Sequence, residues 1–161
     1  MLGAHCGLKF MMKKIAVACD HRGFQLKEKI KSFLKKKNYE VVDCGTFSES
    51  SADYPDFVFP AAEQVGRGDC HYAIGICYTG IGSSIVANKV AGVRASLCHS
   101  VREAELTRQH NDSNMLILGA GFLEESQVFP LIETWLKTSF EGGRHARRVD
   151  KITQYEREHV N

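Results

Sequence analysis

Five short apolar runs recur along this chain, separated by stretches whose apolar residues return every three or four positions. The runs are residues 15–19, a segment centred on Val41 and Val42 and closed by Gly45, and residues 73–77, 93–97 and 115–118. They are too short for helices, and they are continuous rather than alternating, as in strands buried on both faces. Between them the period changes to that of a helix. Leu26, Ile30, Phe33 and Leu34 share one helical face, as do Phe57, Val58, Ala61, Ala62 and Val65, and later Val128, Leu131, Ile132, Trp135 and Leu136. Residues 84–90 read as turn and helix, residues 101–109 as a helix, and residues 147–156 as a last, polar helix. Strands alternating with helices at this spacing form βαβ units, which build a parallel sheet covered on both faces. In such α/β sheets ligands bind outside the carboxyl ends of the strands, so those ends are where chemistry is sought.

A chain of 161 residues, 43% hydrophobic and 25% charged, fits one globular domain. Residues 1–11 read as an N-terminal extension outside the fold, because Met11-Met12-Lys13-Lys14 directly precedes the first strand; residues 12–161 read as the domain. The opening residues lack the basic and long apolar regions of a signal peptide. A net charge of +2 is too small to argue for nucleic acid or a membrane surface. No apolar run approaches the ~18 residues of a membrane span. None of the six cysteines forms a Cys-x-x-Cys pair, which argues against zinc and thioredoxin-like sites. Cys19, Cys44, Cys77 and Cys98 each end a strand-like run, a poor place for a disulfide framework, and the expected location is a reducing cytoplasm.

Three segments carry unusual chemistry. Cys19-Asp20-His21-Arg22-Gly23 leads into a helix. Asp20 there is either an N-cap or, with His21, a carboxylate and a donor for a hydroxyl or a phosphate oxygen. Cys77-Tyr78-Thr79-Gly80-Ile81-Gly82 is either a tight turn with a buried cysteine or an anion nest beside a nucleophilic thiol. In the second case its N–H groups favour the thiolate, and Thr79 adds a hydroxyl able to move a proton. Arg108-Gln109-His110-Asn111-Asp112 precedes the fifth strand. His110 is either a plain surface histidine or a general acid helped by Asn111. Near the end, Gly142-Gly143-Arg144-His145-Ala146-Arg147-Arg148 is a basic turn. Arg144 and Arg148, four apart, share a helical face if a helix starts there, and two guanidinium groups on one face suit a phosphate dianion. A solvated basic face is the plainer alternative. A cysteine phosphatase needs an arginine six residues after its cysteine, but Ser83 stands there. No Gly-Lys-Ser/Thr follows the glycines, so the loop is no Walker sequence.

Taken together and in order, Cys19-Asp20-His21, Asp53-Tyr54-Pro55-Asp56, the Cys-x-Thr-Gly-Ile-Gly loop, Ala87-Asn88-Lys89, Arg108-Gln109-His110-Asn111-Asp112 and Gly142-Gly143-Arg144-His145 resemble the type B ribose-5-phosphate isomerases. That family also includes the galactose-6-phosphate isomerase subunits. The resemblance spans about residues 12–157. It implies an α/β fold, a three-layer αβα sandwich with a Rossmann-like five-stranded parallel sheet, and a homodimer or tetramer with shared active sites. It implies interconversion of ribose 5-phosphate and ribulose 5-phosphate, without metal or cofactor, in the pentose phosphate pathway. Cys77 would take the C2 proton, Thr79 would move protons between the oxygens, and His110 would open the furanose ring. The backbone of Tyr78, Gly80, Ile81 and Gly82 would hold the enediolate. Asp20 and Asn111 would bind sugar hydroxyls, and His21, Arg144 and Arg148 the phosphate, with the His-Asn and arginine elements coming from the partner chain. Two positions depart from the family pattern: Tyr78, usually glycine, and Gly121, usually an arginine that contacts phosphate. Two other readings share the layout, an isomerase of allose or galactose 6-phosphate and a non-catalytic ligand-binding module. The set Cys77, Thr79 and His110 separates an enzyme from a binding module, which needs neither base nor acid.

Overall fold

A computed structural model describes residues 12–159; the N-terminal extension read at residues 1–11 lies outside the described residues. Five strands are present: β1 (Lys14–Cys19), β2 (Glu40–Gly45), β3 (Tyr72–Cys77), β4 (Ala95–Leu97) and β5 (Met115–Gly119). They form one sheet in the order β2-β1-β3-β5-β4, with every pairing parallel. The helices are α1 (Phe24–Lys36), α2 (Pro55–Gly66), α3 (Ile81–Ala87), α4 (Val101–Asn111), α5 (Glu125–Lys137) and α6 (Arg144–His159).

Alternation along each strand sends successive side chains to opposite faces, and two separate cores result. On one face Ile15, Val17, Ile74, Ile76, Leu116 and Leu118 meet α1, α4 and α5 through Ile30, Leu34, Ala104, Leu131 and Trp135. On the other, Ala16, Ala18, Ala73, Met115 and Ile117 meet α2 and α3 through Val58, Ala61, Val65 and Val86. The architecture is therefore the three-layer αβα sandwich the resemblance implied. Each fully buried Ile or Leu contributes roughly 1.5–3 kcal/mol, so the central strands anchor whatever sits at their ends. Trp135 is sealed in the first core, and its indole N–H donates to Ser113 Oγ at 2.8 Å.

Three elements differ from the sequence reading; one is the last helix, which runs Arg144–His159 rather than residues 147–156. The fourth strand is Ala95–Leu97 rather than residues 93–97. Arg94 is drawn out of the ladder by side chains: its N–H donates to Asn114 Oδ1 at 2.7 Å, and its guanidinium reaches the Asp112 carbonyl at 2.9 Å. Asn88 brackets the edge of the same strand, donating to the Ala95 carbonyl and accepting its N–H. This amide stands where a further strand would pair. The third helix starts at Ile81 and ends at Ala87, earlier than residues 84–90, because left-handed Gly80 (φ 80°) turns the chain straight from β3 into it. Among the described residues, no helix is long and apolar enough to cross a membrane.

Beneath the β1 and β2 ends lies a buried ion pair. Lys27, on the inner face of α1, has no exposed surface and donates to Asp43 at 2.6 Å. Asp43 also accepts from Lys31 and from the Gly45 N–H. Burial works against the carboxylate, but those donors outweigh it and lower the Asp43 pKa below its ordinary value.

Candidate functional site

The strand order reverses between β1 and β3: the chain leaves β1 for β2 on one side and returns across it to β3 on the other. Such a switch point opens a crevice at the carboxyl edge. The loops leaving β1 and β3 meet there, joined by a bond from the Asp20 N–H to the Ile76 carbonyl at 3.2 Å. Asp20 is almost fully buried, and its Oδ1 accepts the N–H groups of Arg22 (2.9 Å) and Gly23 (3.1 Å). It thus caps the 3-10 turn His21–Gly23 that opens α1. His21 is fixed by its Nδ1, which lies 3.1 Å from the Ala52 N–H and 3.2 Å from the Ala52 carbonyl and so leaves Nε2 as the free edge of the ring.

Cys77 closes β3 with 4% of its surface exposed. Its Sγ accepts the Gly80 N–H at 3.2 Å, a contact that favours a negative sulfur. Gly80 is required there twice over. Its φ of 80° is left-handed, and a Cβ would run into Leu97 Cδ1. Thr79 Oγ1 accepts the Ile81 N–H at 3.1 Å, which leaves its own proton free to be donated outward. Burial pushes the thiols of Cys19 and Cys98 up to about 12 and that of Cys44 up to about 11, and it raises that of Cys70 as well. Those groups stay neutral near neutral pH. The five described cysteines are free thiols.

The remaining candidates form a second group. His110 and Asn111 end α4, and the His110 ring stacks on His145 with centroids 4.2 Å apart and planes 10° apart. His145 is buried, and Glu141 Oε2 lies 3.6 Å from its Nε2. Burial, and then the charges of His110 and Arg144, lower the His145 pKa against the opposing pull of Glu141. The Glu141 N–H donates to the Gln109 carbonyl at 3.0 Å, which ties the turn before α6 to α4. Helix α6 does begin at Arg144, so Arg144 and Arg148 share one face. In the same motif Arg108 and Asp112 are structural. Arg108 is buried, paired to Asp112 at 2.8 Å, and its guanidinium lies over the rings of Tyr72 and Trp135.

These two groups stand at opposite edges of the sheet. Ala73 pairs with Met115 and Cys77 with Gly119, so the loop that precedes Met115 lies at the amino edge, level with the start of β3. Four strand steps separate the two levels, about 13 Å at ~3.3 Å per residue. One chain therefore gathers Asp20, His21, Cys77, Tyr78, Thr79, Gly80, Ile81 and Gly82 in one place, and His110, Asn111, Arg144 and Arg148 in another. One edge carries a thiol beside a glycine nest, the other a pair of stacked imidazoles and the arginines that open α6.

A metal has one candidate cluster among the described residues, His110, Glu141 and His145, whose ligand atoms lie within 4.8 Å of one another. Stacked imidazoles direct their in-plane lone pairs side by side rather than at one point. A tetrahedral ion would require one ring to turn out of its stack.

Three residues escaped the sequence reading. Arg22 places its guanidinium 5.4 Å from the centre of the Tyr78 ring. Phe122 meets Tyr78 edge-on at 6.1 Å. Tyr54 lies against Gly82, where a Cβ would come within 2.6 Å of its Cζ. Arg22 had a signal in its place beside His21, and Tyr54 in its motif; Phe122 had none.

A model of the ribose/galactose isomerase family matches residues 15–152. The chain is 44% identical over 145 residues to ribose-5-phosphate isomerase B of Escherichia coli, covering 90% of this chain and 97% of that one. Among solved structures, ribose-5-phosphate isomerase B of Clostridium thermocellum superposes with a TM-score of 0.89 at 47% identity, over 91% of this chain and 99% of that one. The Mycoplasma genitalium enzyme, solved with bound ribulose-5-phosphate, gives 0.87 at 44% identity, over 90% and 97%.

Proposed function

This chain belongs to the ribose/galactose isomerase family, and from that premise we propose that it interconverts ribose 5-phosphate and ribulose 5-phosphate in sites shared between two copies. His110 of the partner subunit protonates the ring oxygen and opens the furanose. The Cys77 thiolate then removes the C2 proton of the open aldose, and the electron pair moves to O1 to give a cis-enediolate. Thr79 carries a proton between O1 and O2. The thiol returns its proton to C1, and the ketose forms with no net change in atoms or charge. Each preorganised N–H aimed at the developing oxyanion is worth roughly 3–4 kcal/mol; in this reading the backbone from Tyr78 to Gly82 supplies them, the Gly80 and Ile81 N–H groups exchanging Cys77 Sγ and Thr79 Oγ1 for the oxyanion. His21 and, from the partner, Arg144 and Arg148 hold the phosphate. Asp20 and the partner's Asn111 hold sugar hydroxyls. Anchoring that remote group helps to offset the cost of ordering the reacting end.

The observation that carries this reading is the Cys77 sulfur, held on the Gly80 N–H in a glycine nest at the switch-point crevice. A binding module has no use for such a group. Incubation with ribose 5-phosphate, followed by ketose absorbance, tests it. Wild-type protein should convert the sugar, and Cys77→Ala should lose at least about a hundredfold in kcat, the lower end of what acid–base groups contribute. Retention of a tenth or more of kcat, well above the roughly one hundredth that even a weak acid–base group would leave, would remove Cys77 as the base. The half-exposed Tyr78 ring, rooted next to Cys77, adds bulk to the crevice, which favours a five-carbon over a six-carbon phosphate. Allose 6-phosphate and galactose 6-phosphate should therefore turn over with lower kcat/KM.

A further inference from the structure

The two positions that depart from the family pattern, 78 and 121, are in contact. One side of the Tyr78 ring lies against Gly121, where a Cβ would come within 2.6 Å of the ring Cζ. Gly121 has an ordinary negative φ, since it is absent from the left-handed glycines of the described chain. Its lack of a side chain thus answers to the tyrosine and not to the backbone. Phe122 meets the same ring edge-on, with centroids 6.1 Å apart. The space that an arginine at 121 would cross is filled by an aromatic side chain rooted next to Cys77.

That aromatic carries a cation. Arg22 follows His21 at the same edge, and its guanidinium sits over the Tyr78 ring. Among the described residues, the ion pairs do not include Arg22. The nearby Lys27 is already committed to Asp43. A guanidinium held over a ring by cation–π attraction keeps N–H groups able to make two parallel bonds to phosphate oxygens. We propose that Arg22, seated on Tyr78, is a phosphate ligand of this enzyme and replaces the arginine missing at Gly121, so that Arg22, Tyr78 and Gly121 form one specificity unit. The proposal rests on the sugar-phosphate reading above.

Two measurements separate the proposal from that reading: KM and kcat for ribose 5-phosphate, and the dissociation constant of inorganic phosphate by calorimetry. Arg22→Ala should raise both KM and the phosphate dissociation constant by about tenfold or more, the loss of one charge-assisted bond, with kcat changed by less than about twofold. In a Tyr78→Gly/Gly121→Arg background the same Arg22→Ala change should alter either constant by less than about threefold, because the guanidinium introduced by Gly121→Arg then serves. If that background does not fold, Tyr78→Ala replaces it, and Arg22→Ala should again add little once the seat is gone. Arg22→Ala with both constants within about twofold of wild type, or with an equal loss in every background, overturns the proposal. Absence of wild-type turnover would sink the isomerase reading, and the phosphate constant would still decide the role of Arg22.

Discussion

Asp43→Ala removes the main partner of Lys27, an ammonium with no exposed surface. Breaking a buried pair by deleting one member costs about 3–5 kcal/mol, because the remaining charge stays desolvated. The figure here should fall near the lower end, about 3 kcal/mol, since Glu28 remains 3.3 Å from Lys27 as a weaker, more exposed partner. For a chain of this size each kcal/mol moves the midpoint by roughly 2–4 °C, so Tm should drop by about 6–12 °C. Thermal unfolding followed by circular dichroism reads this directly. Lys27→Met in the Asp43→Ala background should return most of the loss, because the orphaned charge is what costs. The pH dependence follows from the lowered Asp43 pKa. A carboxylate held below its unfolded value adds stability at neutral pH and loses it as pH falls through its folded value. Wild-type Tm should therefore drop in the acid range, and the Asp43→Ala variant should lose part of that acid dependence. A variant within about 1 kcal/mol of wild type, or a double variant no better than the single, would refute the reasoning.

Two further outcomes are expected. Gly80→Ala should cost roughly 1–2 kcal/mol for the left-handed backbone, and still more activity, because the clash with Leu97 moves the N–H held on Cys77 Sγ; paired kcat and Tm measurements check it. Iodoacetamide at neutral pH should label Cys77 ahead of Cys19, Cys44 and Cys98, whose burial keeps them protonated; peptide mass mapping after a short pulse reads the order.

The layered fold was legible because the strands are uninterrupted apolar runs, and Met115-Leu-Ile-Leu118 admits no other use. Elements were misplaced where side chains rather than periodicity decide. Asn114 and Asp112 take Arg94 out of β4, and Asn88 guards its edge. Lys27 is one of several lysines in α1, yet it shares an i, i+3, i+7 stripe with Ile30 and Leu34, the one sign in the sequence that it turns inward. The candidate site residues stand in recognisable motifs. Their division between two edges follows from strand direction, since His110 comes before a strand and Cys77 after one. What no motif carried was the contact between Tyr78 and Gly121. They are far apart in sequence, and only the adjacency of β3 and β5 joins them.

The central claim is that a working site needs Cys77 from one copy and His110 from another. Mixing Cys77→Ala with His110→Ala protein, each inactive alone, tests it most directly. In a two-fold symmetric heterodimer one site receives both substitutions and the other receives neither. Random exchange should therefore restore about a quarter of wild-type activity, half the dimers being mixed and half their sites intact. If tagged subunits show that exchange has occurred and no activity returns, the two groups serve the same chain and the shared site is contradicted.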